Sequence, residues 1–164
     1  GMLKCSGVDE YADRLIASPA EVNLLYKDLL IGVTRFFRDP EAFERLGREV
    51  LPRLLSNLGR DDEFRVWVAG CATGEEAYTV GMVVQECLDN LSRAVPVKVF
   101  ATDAHRASLD TAGAGWYPAD SLAAMTPARL ERFFVPKGDG FQVAPDLRKQ
   151  VVFAQHNVLK DAPF

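Results

Sequence analysis

At 164 residues with 48% apolar content, the chain is long enough for one domain with a substantial core, and its net charge of −4 disfavours a polyanionic partner such as nucleic acid. Apolar stretches are interrupted by charge within a few residues and the N-terminus lacks a basic region followed by an apolar block, so neither a membrane span nor a secretory leader is expected, and a cytoplasmic location is. Cys5, Cys71 and Cys87 are odd in number and lack metal-ligand spacing, with only His105 and His156 to help, so they read as free thiols and no metal is expected.

Gly1 before Met2 has the form of an expression remnant. Ser18-Pro19-Ala20-Glu21 is a capping box with proline at the first helical position, and Val22, Leu25, Tyr26, Leu29 and Leu30 follow at helical spacing, predicting a helix over about 19–31. Asp39-Pro40-Glu41 opens a second helix that places Phe43, Leu46, Val50, Leu54 and Leu55 inside and ends near Gly59. Two apolar runs, 64–69 and 97–102, read as buried parallel strands joined by a helix from Glu75 to about Leu88 that buries Val80, Val84 and Cys87. A short helix over Ala104 to Ala112 follows, ended by Gly113 and Gly115, and Thr126-Pro127 caps another through Phe133 or Phe134. Val135 and Phe141-Gln142-Val143 around Lys137-Gly138-Asp139-Gly140 form a β-hairpin pattern, and Val151 to Asn157 reads as a third parallel strand.

The chemistry concentrates where the first strand runs into Gly70-Cys71-Ala72-Thr73-Gly74-Glu75-Glu76. Glycine lets a ligand approach bare backbone there. Dinucleotide-binding turns carry G-x-G-x-x-G and avoid acids, because a pyrophosphate sits on the helix N-terminus; the lysine of a P-loop is also absent. Two carboxylates at this turn repel an anion and attract a ligand bearing ammonium and sulfonium charge, which points to S-adenosylmethionine. The competing reading makes Thr73 and Glu76 a capping box. Asp103 ends the next strand, 27 residues beyond Glu76, where an acid can accept both ribose hydroxyls or, alternatively, cap the helix that follows. Both acids on consecutive strand ends favour a nucleoside site.

With these pieces in place the chain resembles the chemoreceptor glutamate methyltransferases, the CheR family, in particular the forms fused to a methylesterase in hybrid sensory proteins. The resemblance runs from about Tyr11 to the last residue. It rests on Thr34-Arg35-Phe36-Phe37-Arg38-Asp39-Pro40, Ala69 to Tyr78 through the glycine turn, Ala101-Thr102-Asp103 and His156-Asn157-Val158-Leu159. It implies an α/β fold: a Rossmann-like class I S-adenosylmethionine-dependent methyltransferase core, here with an incomplete parallel sheet, a short helical N-terminal segment and a small inserted β-hairpin. Residues 1–35 would be the remnant of a helical N-terminal domain and 36–164 a partial S-adenosylmethionine-binding domain, with the hairpin at about 134–144. The family pattern continues beyond both ends, so an incomplete core is expected.

The implied activity is transfer of the methyl of S-adenosylmethionine to glutamate side chains of chemoreceptors in chemotaxis or related sensory signalling, leaving S-adenosylhomocysteine. Thr34 and Arg38 would contact the methionine end of the cofactor, with Arg38 paired to its carboxylate and the candidate catalytic residue. Gly70 would supply bare backbone, Glu76 would take the amino end or nearby hydroxyls, Asp103 the ribose, and Asn157 with the Val158 backbone the adenine side. Gly32 stands where the family usually has asparagine. Tyr78, His105 and His156 read as structural. The expected partners are the cytoplasmic region of chemoreceptors and a second copy along the sheet edge at Arg65 to Ala69, with no membrane insertion. Two other readings stand beside this one: a non-catalytic regulatory or interaction module that retains the fold, and a Rossmann-like oxidoreductase, which the acidic turn disfavours.

Overall fold

The computed structural model describes residues 7–22, 25, 34–59 and 61–162, and the chain divides into two units, residues 1–33 and 34–164. In the first unit, α1 (Val8–Ala17) is a helix outside the expected set, with Asp9 and Glu10 in its first turn and an Arg14–Glu10 pair at 3.0 Å. Ser18 Oγ accepts from the Glu21 amide at 3.3 Å, one half of the anticipated capping box, and residues 19–22 are helical. Most of the remaining helix expected to residue 31 lies outside the described residues, as do Cys5 and Gly32.

The second unit begins with α2 (Pro40–Arg45), a π-helical stretch Leu46–Val50 and α3 (Leu51–Ser56), which together replace the single regular helix expected. The Leu51 amide donates to the Leu46 carbonyl, five residues back. Pro52 has no amide proton and its ring opposes the carbonyl four residues earlier, so a one-residue insertion just before it relieves the conflict. The insertion also turns the helix face. Leu51 and Leu55 are buried, whereas Val50 and Leu54, expected inside, are about half exposed.

Strand β1 (Phe64–Ala69), helix α4 (Glu75–Asn90) and strand β2 (Val97–Asp103) form a parallel β-α-β unit, and β6 (Val151–Gln155) adds the third strand in the order β1-β2-β6. Val66 faces Val99 and Ala69 faces Thr102, while Asp103 faces Gln155, so the carboxyl ends of all three strands finish together. The third strand stops at Gln155 rather than Asn157. Among the described residues β1 pairs only with β2, leaving it an edge on which Trp67 is 45% exposed.

Helix α4 is buried on nearly every side: the expected Val80, Val84 and Cys87 are buried, and so are Ala77, Tyr78, Thr79 and Met82. Its apolar surround explains this: β2 and β6 lie on one side, the α2–α3 segment and α7 (Pro145–Arg148) on others. Helix α5 (Arg106–Ala114) starts after His105 and ends at Gly115, whose φ of 62° suits glycine, while Gly113 stays helical. His105, not Asp103, is therefore the residue that precedes the helix, and the Asp103 carboxylate accepts from the His105 and Ala72 amides.

The expected hairpin is part of a larger element. Strands β4 (Phe134–Lys137) and β5 (Gly140–Val143) pair across Gly138-Asp139, and β3 (Trp116–Pro118) joins the far side of β5, giving an antiparallel sheet in the order β3-β5-β4. A three-residue strand carries too little alternation to be read from sequence; Trp116 is fixed there by its indole N–H donating to the Lys137 carbonyl at 3.0 Å. Helix α6 (Pro127–Phe133) has Thr126 as its cap, accepting from the Arg129 amide. Among the described residues no helix is long and apolar enough to cross a membrane.

Gly74 sets how closely α5 and β3 approach the start of α4. At φ 96°, a Cβ there would lie 2.8 Å from Ala112 Cβ and 3.0 Å from the Tyr117 hydroxyl. Gly74→Ala is expected to lower unfolding free energy by about 2–4 kcal/mol through the backbone conformation and the overlap together; an unchanged midpoint in chemical denaturation would contradict that packing.

Candidate functional site

The chain leaves β1 at the carboxyl edge of the sheet, and the ladder continues into the turn: the Gly70 and Cys71 amides donate to the Thr102 carbonyl at 2.7 and 2.9 Å. Gly70 has φ 72°, Ala72 46° and Gly74 96°, so three left-handed residues curl the chain. Alanine in that region costs about 1–2 kcal/mol. Asp103 offsets it: one carboxylate oxygen accepts from the Ala72 amide at 2.9 Å and the other from the His105 amide at 2.8 Å. The half-buried carboxylate thus ties the end of β2 to the turn and still has lone pairs to offer.

The two glycines differ in purpose. A Cβ on Gly74 would collide with α5, whereas one on Gly70 would meet nothing within 4 Å among the described residues. Gly70 therefore borders open space, with backbone available to a ligand.

The capping box between Thr73 and Glu76 does not form. Because Gly74 is itself the left-handed residue before the helix, Thr73 falls one position too early to cap it. Thr73 Oγ1 instead donates to Glu75 Oε2 at 2.6 Å, and Glu75 is 8% exposed. Glu76 is exposed and makes no hydrogen bond or ion pair with the described residues. The Tyr117 hydroxyl donates to the Thr73 carbonyl at 2.7 Å and the Tyr78 hydroxyl to the Ala112 carbonyl at 2.9 Å. Burial raises both phenols above their ordinary range, so they remain donors. Tyr78 is fully buried, in keeping with a packing role.

Cys71 reports the field of the turn. Its thiol is pushed up to about 12, first by burial and then by the negative charges of Asp103, Glu76 and Glu75. Three carboxylates therefore converge on this turn, at the N-terminus of α4, where the helix dipole favours them.

Thr34 is half-buried and Arg38 exposed, and the aromatic pair between them anchors the segment. Phe36 is 2% exposed, edge-on to Tyr117 at 4.9 Å and to Phe134 at 5.5 Å. Phe37, at φ 51°, donates its amide to Thr79 Oγ1 at 3.3 Å, and that hydroxyl donates to the Glu75 carbonyl at 2.7 Å. The segment is thereby brought to the first two turns of α4. Arg35 donates to the Arg38 carbonyl at 3.2 Å.

Asn157 follows β6, next to His156, whose amide donates to the Asp103 carbonyl at 3.0 Å. Asn157 Oδ1 accepts from the Leu159 amide at 3.0 Å, and Val158 is exposed. Both histidines make local contacts: His105 Nδ1 with Ser108 Oγ at 2.9 Å, and His156 Nε2 with the Ala162 carbonyl at 3.0 Å. Cys71 and Cys87 are free thiols.

Two residues enter the site's surroundings without any advance signal, and the two expected acids of the turn divide their roles. Glu75 rather than Glu76 is the buried acid, a distinction set by the helix start. Tyr117 and Arg129 reach the turn and the Thr34–Arg38 segment from distant parts of the chain, and no local pattern announces such contacts. A cavity of about 430 Å³ bounded by Phe37, Phe43, Val83, Cys87 and Arg129 lies along the second half of α4, and none of its lining residues belongs to the glycine turn.

The profile described as CheR methyltransferase, SAM binding domain, matches residues 32–164. The chain belongs to the CheR methyltransferase family. S-adenosylmethionine is accordingly the cofactor of this domain, and the donor set fits it: open backbone at Gly70, carboxylates for cationic groups, and a strand-terminal acid. An uncharacterized 104.1 kDa protein of Rhodobacter capsulatus is 39% identical over all of this chain and 17% of its own length. Chemotaxis protein methyltransferases of Borreliella burgdorferi and Listeria monocytogenes are each 32% identical, over 93% and 81% of this chain and 56% and 48% of their own lengths. The chain thus spans between about one sixth and about half of the length of these three relatives.

With its thiol held far above the usual range by burial and the neighbouring carboxylates, Cys71 stays protonated at pH 8. The native protein is expected to resist iodoacetamide at Cys71 at that pH and to react there once unfolded in urea, as read by peptide mass mapping. Equal labelling in both states would contradict the burial and charge described.

Proposed function

We propose that this chain is the cofactor-binding part of a cytoplasmic protein-glutamate O-methyltransferase acting on chemoreceptors. The observation that carries the reading is the convergence of Glu75, Glu76 and Asp103 on the glycine turn, a field suited to a cationic nucleoside and unsuited to a pyrophosphate. The relatives named as chemotaxis protein methyltransferases support the substrate class.

When bound, S-adenosylmethionine supplies an electrophilic methyl group on a sulfonium centre. Thr34 and Arg38 hold its methionine end, the Arg38 guanidinium being matched to a carboxylate. Glu76, with no partner of its own among the described residues, takes the amino group or nearby hydroxyls. Asp103 accepts from the ribose with the lone pairs that Ala72 and His105 leave unused. Asn157, with its oxygen already engaged by Leu159, donates its amide group toward the base, beside the Val158 backbone.

A glutamate side chain is ionised at neutral pH and is itself the nucleophile, so no general base is required. The contribution of these residues is orientation of the reacting atoms. That accounts for a site built from positioning contacts, in which both histidines serve local structure.

Calorimetric titration with S-adenosylhomocysteine is expected to show saturable one-to-one binding. Glu76→Ala should weaken it roughly ten- to a hundredfold, equivalent to about 1.5–3 kcal/mol for a charge-assisted contact, without lowering the melting temperature. Absence of binding by the unsubstituted chain would overturn this reading in favour of a non-catalytic interaction module, and binding of NADH instead would favour an oxidoreductase.

A second copy pairing along the β1 edge belongs to the same proposal, because the edge of β1 away from β2, without a partner strand among the described residues, presents a row of free backbone groups. A dimer is expected in sedimentation at micromolar concentration; a monomer there would remove this part.

A further inference from the structure

The segment bearing Thr34 and Arg38 has no helix or strand to fix it, and Phe37 within it adopts a left-handed backbone at φ 51°. Something outside the segment must hold that conformation. The Arg129 guanidinium lies over the Phe37 ring, 4.1 Å from its centroid, while Phe43 meets the same ring edge-on at 5.7 Å. Arg129 is itself fixed by a forked pair with Glu86 on α4, Nε to Oε1 at 2.7 Å and Nη2 to Oε2 at 2.8 Å, with both side chains less than one-third exposed. A planar guanidinium held flat by two parallel bonds is suited to stack on an aromatic face.

We propose that Arg129 is a positioning residue for the cofactor's amino-acid end: anchored by Glu86 and clamped over Phe37, it fixes the backbone that presents Thr34 and Arg38. The inference rests on the function proposed above. The clamp acts through the Phe37 ring and the backbone behind it, so the proposed role does not require Arg129 to touch the ligand. The Phe37 backbone is held as well, by its amide on Thr79, whose hydroxyl leads to the first turn of α4.

Holding α6 against α4 does not by itself explain the arrangement. Arg132, one turn further along α6, makes an ion pair with Asp89 of α4 and lies over Phe133 at 4.7 Å. That contact tethers the same two helices without approaching Phe37, and it supplies an internal control.

The test compares two ligands. S-adenosylhomocysteine has the amino-acid end; 5′-methylthioadenosine has the same nucleoside and thioether but lacks it. In calorimetry, Arg129→Ala is expected to weaken S-adenosylhomocysteine by roughly tenfold or more while leaving 5′-methylthioadenosine unchanged. Arg129→Lys should recover part of the loss, because it keeps the charge on Glu86 without the flat stack, and Arg132→Ala should leave both affinities unchanged. Should Arg129→Ala fail to fold, Arg129→Lys and Glu86→Gln carry the same comparison. Equal losses for both ligands, or no loss for either, would overturn the inference while leaving the cofactor site in place. Binding of 5′-methylthioadenosine but not S-adenosylhomocysteine by the unsubstituted chain would also overturn it, and binding of neither would remove the underlying function instead.

Discussion

Asp103 ends β2 with one carboxylate oxygen on the Ala72 amide and the other on the His105 amide, and the shape of the site depends on that double contact. The turn after β1 contains a non-glycine left-handed residue, which a free loop would not maintain. A charged acceptor on the amide of that same residue compensates the backbone cost and sets the height of the turn above the strand ends. The same side chain also fixes where α5 begins, which is why His105 and not Asp103 is the residue that precedes the helix.

Negative charge at the start of α4 is stabilised twice over. The helix dipole favours it, and the buried member, Glu75, receives the Thr73 hydroxyl. Because the Thr73 hydroxyl is taken by Glu75, the Glu76 carboxylate shares the favourable helix dipole but is left to face solvent and any cationic ligand. The turn is therefore structurally sound as an acidic element. A phosphate-binding loop at the same place in an α/β sheet needs the opposite charge.

Aromatic edges connect the two sheets. Phe36 meets Tyr117 of β3 and Phe134 of β4, Tyr117 meets Tyr78 of α4 at 6.2 Å, and Tyr78 meets Phe153 of β6 at 5.6 Å. Such contacts are directional as well as apolar. Through the Tyr117 hydroxyl the antiparallel sheet reaches the Thr73 carbonyl, so this small sheet braces the turn as well as extending the fold. Phe36 and Phe37, adjacent in sequence, face different neighbours: one enters the core between the sheets, the other is held by Thr79 and Arg129.

Much of the parallel β-α-β unit was legible from residue order, because β-branched runs such as Val66 to Val68 and Val97 to Val99, a glycine turn and a strand-terminal acid are local signals with local causes. The acidic character of the turn, and with it the class of ligand, was legible for the same reason. Tertiary structure decided what depends on distant partners. Pro52 forced a π insertion that turned Val50 and Leu54 outward, a steric effect that periodicity does not carry. Trp116 and Tyr117 became a third strand only because β5 was there to pair with them. The choice of Glu75 as the buried acid followed from a left-handed Gly74 packed against Ala112, and the clamp on Phe37 from side chains 49 and 92 positions away in the chain. Sequence by itself determined which backbone turns were affordable and which charges they carried; only packing between remote segments decided which of those charges was left free to act.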